Sequence, residues 1–504
     1  KATAIRMDAV SWSNVPAGWC SWYFYYTLPD ETEMIENAQF LKERFGKTIE
    51  WIQLDDGYQK SVGDWEENER FGSGLKSLVA KIKELGYKAG LWLAPFVAAE
   101  HSELFKEHQQ WFVADSEGKP MVVDQNPLWM GNFYALDLTQ KEVLSFLRST
   151  FNRFKEDGFD YFKIDFLYHA ALEGRRENQE MTRAQAIRKG LEVIRETVGD
   201  SFILGCGAPL GQCIGITNGM RIGTDIAPAW QYEWGGGVYQ CAINTLTRTF
   251  MHNHWWKNDP DCVLVRQDDT DLSLEETQLW ITVVALSGGM LLLSDRMEEV
   301  SEERLDLLDK ILPIYSKSGI ALDALVESEP RLFALPVETP SGQWSVVATI
   351  NLSERPIDVE FSFEKVGLED NSPHHVFEFW SRNYEGLFEE SFMAQALKPH
   401  TCRLFVVKPE SITPSVLSTS MHFTQGAVEL KDHAWINETG NLEVTVCRSA
   451  RKDESIFIVF DSSWKPLSAT LDGQDVGFEH IAPEVIELKR QFKSGQILSV
   501  KFAQ

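Results

Sequence analysis

Several short apolar runs in this chain end in an aspartate. TIEWIQL is followed by Asp55 and Asp56, FDYFKI by Asp165, GMRIGT by Asp225 and GGMLLLS by Asp295. A carboxylate directly after an apolar run stands at the edge of a low-dielectric interior, where it costs free energy unless it is paired or used. One such acid can simply cap the next helix, and Asp295 alone is read equally well that way. A set of them on one rim is harder to explain as caps. Two carboxyl groups facing each other across a cleft can divide acid–base work from nucleophilic work. One protonates a leaving oxygen while the other attacks, or activates water, from the opposite face. Glycoside hydrolysis needs this pair, and retaining enzymes hold the two groups about 5 to 5.5 Å apart. Lys163 lies two residues before Asp165, on the same side of a strand. A cation there favours the ionised carboxylate that a nucleophile requires. The plainer reading of Lys163 is a buried ion pair with no chemistry.

Other chemistries find less support. The segment HNHWWKNDPD carries His252, His254, Asp259 and Asp261. Two His at i, i+2 could share a metal from a strand, but the Trp-rich flanks and the proline predict a loop, so no metal is expected. The 7 Cys are scattered and form no CxxC, which predicts neither a disulfide framework nor a zinc site and favours a reducing, cytoplasmic setting. No Ser-His-Asp constellation is legible, and SGG at 287–289 is no nucleophile elbow. No cofactor is expected. The net charge of -27 argues against a nucleic-acid partner and against an anionic membrane surface. No apolar stretch reaches the roughly 18 residues a membrane span needs. The 17 Trp fit a sugar-stacking cleft, though large cores also bury Trp. The N-terminus KATAIRMD shows no signal peptide and no initiator Met, which predicts a processed or partial chain.

The acids need a scaffold that gathers them. From about residue 15 to residue 316, apolar runs alternate with amphipathic helical patterns such as ETEMIENAQFLKERF, LKSLVAKIKELG and TRAQAIRKGLEVIRETVG. The predicted strands are AGWCSWYFYY, TIEWIQLDD, YKAGLWLAPF, FDYFKIDF, SFILGCG, GMRIGTD, DCVLVR and GGMLLLSD. This is an α/β chain, and eight such units predict a (β/α)8 TIM barrel whose active site lies at the C-terminal ends of the strands. A doubly wound open sheet is the alternative, weakened because no glycine-rich fingerprint follows the first strand. After about residue 320, alternating strands predict antiparallel β-structure. The expected division is a catalytic barrel over 1–320, a β-sandwich over 321–410 and a second small β-domain over 411–504, joined by a polar linker ESITPSVLSTS.

At these residues the sequence resembles the α-galactosidases of glycoside hydrolase family 36, most closely the compact bacterial type. The resemblance runs over about residues 16–266 through GWCSWYFYY, IQLDDGYQKSVGDW, GLWLAPF, YALDLT, YFKIDFL, FILGCGAPL, MRIGTDIAPAW and HNHWWKNDPDC, in order. It implies a retaining enzyme that releases terminal α-D-galactosyl residues from melibiose- or raffinose-type oligosaccharides. Asp165 in KIDF would be the nucleophile and Asp225 in RIGTD the general acid/base. Asp55 and Asp56 would bind O4 and O6 and so read the axial O4 of galactose. Lys163 would contact the hydroxyls near O3 and O4. Cys206 would lie under the sugar near O2 with Arg221 nearby. Trp22 and Trp92 would wall the ring, with Trp65 close to the entrance.

The chain departs from that family in two respects. A large N-terminal β-sandwich normally precedes the barrel, whereas here the first strand is expected at about residue 15, and an extra β-domain follows residue 420. The resemblance leaves open a raffinose-type galactosyltransferase and an α-N-acetylgalactosaminidase. A non-catalytic sugar-binding protein is disfavoured because Asp165, Lys163 and Asp225 are all present. The expected partners are a galactoside oligosaccharide and, as for many acidic sugar hydrolases, further copies of the chain.

Overall fold

The structure, a computed structural model, describes residues 1–9, 12–233, 235–368 and 372–504. Eight parallel strands carry the site: β1 (Ala17–Cys20), β2 (Trp51–Leu54), β3 (Lys88–Leu93), β4 (Tyr161–Ile164), β5 (Phe202–Gly205), β6 (Gly219–Arg221), β7 (Lys257–Asp259) and β8 (Leu291–Leu293). They pair in the order 7-6-5-4-3-2-1-8. The Met290 N–H donates to the Asn258 carbonyl at 2.8 Å across the remaining seam, so β7 and β8 meet and the sheet closes as a barrel. Strands buried on both faces explain the continuous apolar runs.

Helices alternate with these strands along the chain: α1 (Glu31–Phe45), α2 (Leu75–Glu84), α3 (Lys141–Asp157), α4 (Arg183–Val198), α5 (Leu210–Cys213), α6 (Val238–Thr247), α7 (Leu274–Ser287) and α8 (Glu302–Asp309). Their ends are written locally. Asp30 accepts the Glu33 amide at the start of α1, and Gly46 follows its last residue. Thr182 and Gln185 form a reciprocal capping box at α4. In α1 the buried Met34, Ala38, Leu41 and Phe45 recur at the three- and four-residue spacing of one helix face.

The seventh strand is not where the apolar pattern predicted it. Residues 261–266 of DCVLVR form a loop that touches the sheet by a single bridge, Val263 to Leu293. The strand is the polar triplet Lys257–Asp259, buried at every position. Trp256 Nε1 donates to the Asn258 side chain at 3.2 Å, and the Asp261 amide donates to Asp259 at 2.9 Å. Such a strand has no apolar signature to find, because its side chains are satisfied by hydrogen bonds.

The described chain forms two compact units. One comprises 1–227, 250–268 and 289–300; the other comprises 228–249, 269–288 and 301–504. The first holds all eight barrel strands and every site residue considered below. The second is dominated by antiparallel sheets with two separate cores. One is built on Val347, Phe361, Phe392 and Phe405, the other on Val444, Ile458, Leu488 and Phe502. The expected linker is not one. Ser415–Thr419 is a strand paired with Glu454–Val459, and Ser418 and Thr419 are fully buried. Among the described residues no helix is long and apolar enough to cross a membrane.

Candidate active site

Asp165 is the first residue past β4, and its amide donates to the Leu93 carbonyl at 2.8 Å. Two donors orient its carboxylate: Trp92 Nε1 at 3.1 Å on Oδ2 and the Phe166 amide at 2.7 Å on Oδ1. The second bond needs a sharp backbone turn, and Phe166 adopts φ 56°. A left-handed non-glycine residue is a small store of strain of the kind that gathers at functional sites.

Asp55 and Asp56 follow β2 and are buried. Lys163 Nζ lies 3.0 Å from Asp55 Oδ2, so the direct partner of the lysine is Asp55 and not Asp165 as its spacing suggested. Residues i and i+2 share a face, but the bonding partner comes from across the barrel. Burial alone would push the lysine down, yet Asp55 together with Cys206, Cys20 and Asp165 outweighs it, and the net direction is well above the ordinary value. Asp55 Oδ2 also accepts from Gln53 Nε2 at 2.6 Å. Asp56 is held by Trp129 Nε1 at 2.9 Å and Gln59 Nε2 at 2.6 Å. Burial, helped by the charges of Asp55 and Asp165, raises its carboxyl to about 6.

That shift has a thermodynamic sign. In the folded chain Asp56 keeps its proton to higher pH than in the unfolded chain, so stability falls as pH climbs from about 4 to 6. A rise of about two units corresponds to roughly 3 kcal/mol above pH 6. Asp56→Asn is therefore expected to raise Tm at pH 7.5 and to leave it near the parent value at pH 4, while weakening sugar binding. Equal Tm changes at the two pH values would refute the assignment.

Arg221 ends β6, and Asp225 follows in the next loop. Arg221 Nη2 lies 2.6 Å from Asp225 Oδ1 and 2.8 Å from Asp261 Oδ2. The Asp225 side chain is 54% exposed. Desolvation pushes its carboxyl up, but Arg221 and then Lys163 hold it below the ordinary range. Cys206, just past β5, is buried, and burial pushes its thiol well up, with Asp165 the next contributor. Both Cys206 and Lys163 feel the charges of Asp165 and Asp225, so the two acids lie within electrostatic reach of the same two residues.

Trp92 is buried against Asp165, and Trp22 is half-buried in the segment after β1. Trp65 is 4% exposed and packs edge-on to Trp92 at 6.2 Å, so it backs that ring and does not line an entrance. Asp295, fully buried, accepts the Val265 and Arg266 amides at 2.6 and 3.2 Å and pins the loop after β7. His252 Nδ1 accepts the Asn258 amide at 3.1 Å. No group of three or more His, Cys, Asp or Glu among the described residues is arranged to hold a metal. Sequence reasoning missed Trp129, Tyr23 and the role of Asp261. Trp129 lies in an insertion after β3, far along the chain from the end of any barrel strand. Tyr23 and Asp261 lie inside quoted motifs, but nothing in a linear motif says that the two meet.

The Melibiase family matches residues 15–200. An α-galactosidase from Thermus thermophilus, solved with p-nitrophenyl α-D-galactopyranoside, is 30% identical with a TM-score of 0.56, covering 69% of this chain and 68% of that one. The bifunctional α-galactosidase/sucrose kinase AgaSK of Mediterraneibacter gnavus is 30% identical over 133 residues, 25% of this chain. An A type blood α-D-galactosamine galactosaminidase of Flavonifractor plautii is 33% identical over 130 residues, 24% of this chain. The matched stretches span only 13% and 12% of those two proteins. On the sequence motifs, the closed eight-stranded sheet and the Thermus likeness together, this chain belongs to the melibiase, or α-galactosidase, superfamily of glycoside hydrolases.

Proposed function

We propose that the chain is a retaining α-galactosidase of family 36, hydrolysing terminal α-D-galactosyl residues through a covalent galactosyl-enzyme. Asp165 is the nucleophile and Asp225 the acid/base. The observation that carries this reading is the pair itself: two carboxylates at the mouth of one barrel, each within electrostatic reach of Lys163 and Cys206. Trp92 and the Phe166 amide aim the first carboxylate, and Arg221 holds the second. The Asp55–Lys163 pair and Asp56 form a buried polar wall. A sugar hydroxyl placed to bond them is favoured, and an epimer that leaves them unpaired is rejected. Arg221, Cys206, Trp22 and Trp92 complete the sugar site in this reading, with Trp65 behind Trp92. The separate β-cores support the division at about residues 320 and 410. The cysteines, none of them in a disulfide, support a reducing, cytoplasmic compartment.

The test is release of p-nitrophenol from the α-D-galactoside, with the α-glucoside and the α-N-acetylgalactosaminide alongside. Galactoside cleavage with α-galactose as the first product seen by NMR is expected; β-galactose first would exclude retention. A second reading, action on a 2-amino galactoside, is favoured by the Flavonifractor galactosaminidase, and cleavage of p-nitrophenyl α-D-galactosaminide in preference to the galactoside would select it.

A further inference from the structure

We propose that Tyr23 and Asp261 are positioning residues that act through Arg221 to set the charge balance at Asp225. The inference rests on reading Asp225 as the acid/base. One guanidinium nitrogen serves two carboxylates: Arg221 Nη2 is 2.6 Å from Asp225 and 2.8 Å from Asp261. The two partners differ in kind. The side chains of Arg221 and Asp261 are each 3% exposed, whereas Asp225 is open to the mouth. Asp261 is thus the permanent counter-ion and Asp225 the one free to change.

The backbone agrees. Asp261 sits at φ 87°, a conformation a side-chain-bearing residue rarely adopts. Three donors hold its carboxylate there. The Tyr23 hydroxyl donates to Oδ2, the Ile226 amide donates to Oδ2 at 2.7 Å and the Cys262 amide to Oδ1 at 2.8 Å. Ile226 directly follows Asp225, so Asp261 also ties down the segment that carries the acid. Strain kept in place by several donors fits a functional requirement better than a packing one.

The requirement follows from the reaction. In the first half, Asp225 gives its proton to the glycosidic oxygen as the C1–O bond breaks and the Asp165 carboxylate bonds to C1. In the second half, the Asp225 carboxylate takes a proton from water as the water oxygen bonds to C1 and Asp165 departs. An arginine whose whole charge fell on Asp225 would keep it deprotonated and prevent the first half. Asp261 neutralises the arginine from behind, so that Asp225 can accept a proton once sugar covers it. The other groups acting on Asp225 are Lys163 and Tyr23, and the Cys206 thiol feels the charges of both Asp225 and Asp165.

Asp261→Asn and Tyr23→Phe test this through kcat against pH, with melibiose and p-nitrophenyl α-D-galactoside as substrates. The alkaline limb of kcat reports the essential acid in the sugar-bound enzyme. Asp261→Asn releases the arginine onto Asp225, and the limb moves down by about one pH unit. At neutral pH melibiose cleavage then falls about tenfold more than nitrophenyl galactoside cleavage, because nitrophenolate leaves with little help from a proton. Tyr23→Phe takes one donor from Asp261, which then draws more of the arginine's charge away from Asp225, and the limb moves up. Unmoved limbs with equal losses on both substrates would reveal a packing role and overturn the inference, as would a downward shift in Tyr23→Phe. If Asp261→Asn does not fold, the phenylalanine variant, which lacks one oxygen, carries the test alone. A parent chain that cleaves neither substrate refutes the acid/base reading beneath it. A parent that is active and silenced by Asp165→Ala, with both limbs unmoved in the variants, refutes this inference only.

Discussion

Asp165→Ala is expected to lower kcat/KM on p-nitrophenyl α-D-galactoside by at least about 10⁴-fold, the scale seen when a nucleophile is removed. The fold should survive. Asp165 is only half-buried, and the partners that orient it, Trp92 and the Phe166 amide, keep their own positions through the barrel and the chain turn. Its removal also relieves Asp56 of a neighbouring negative charge. The Tm of the variant is therefore expected at or above the parent value. The vacated space leaves room for a small anion on the face opposite the leaving group. Added azide should restore turnover of the nitrophenyl substrate, with the azide bonded to C1 in the β configuration and nitrophenolate released. Activity within tenfold of the parent, without azide, would show that Asp165 is not the nucleophile.

The barrel was legible because its strands are buried on both faces. Runs such as GLWL and FILG must be apolar, and the helices between them must keep one apolar face. The same rule failed at β7, where Lys257, Asn258 and Asp259 are buried polar residues satisfied by side chains and backbone. The acids were legible because a charge beside an apolar run is costly. Which cation meets which acid was not. Lys163 shares a strand face with Asp165 yet bonds Asp55, which is 108 residues away in the chain. The Tyr23–Asp261 contact spans 238 residues and leaves no periodicity to read. Trp129 bonds Asp56 from an insertion whose conformation only the fold determines. Local pattern reports burial and therefore elements. Partnerships inside a closed barrel depend on strand order and register, which no window of residues contains.

Lys163→Ala should destabilise the fold strongly. Lys163 and Asp55 are 8% and 2% exposed and stand 3.0 Å apart. Removing one member of a buried pair leaves the other uncompensated, at roughly 3–5 kcal/mol. Asp55 still accepts from Gln53 and from the Asp56 amide, which places the expected loss nearer the lower figure. The pH dependence identifies the cause. Without the lysine, buried Asp55 binds a proton more readily folded than unfolded, so stability is regained as pH falls from 7.5 towards 5. Denaturant unfolding at those two pH values would show it, and a loss below about 0.5 kcal/mol at pH 7.5 would mean that Asp55 is already satisfied without the cation. The double variant Lys163→Met with Asp55→Leu should recover most of the stability, because apolar replacements of a buried pair are often neutral or better. It should nonetheless bind no galactoside. A pair that stability alone would trade for methionine and leucine is kept for what it offers a ligand: a buried cation and carboxylate, fixed against each other, that sugar hydroxyls can bridge.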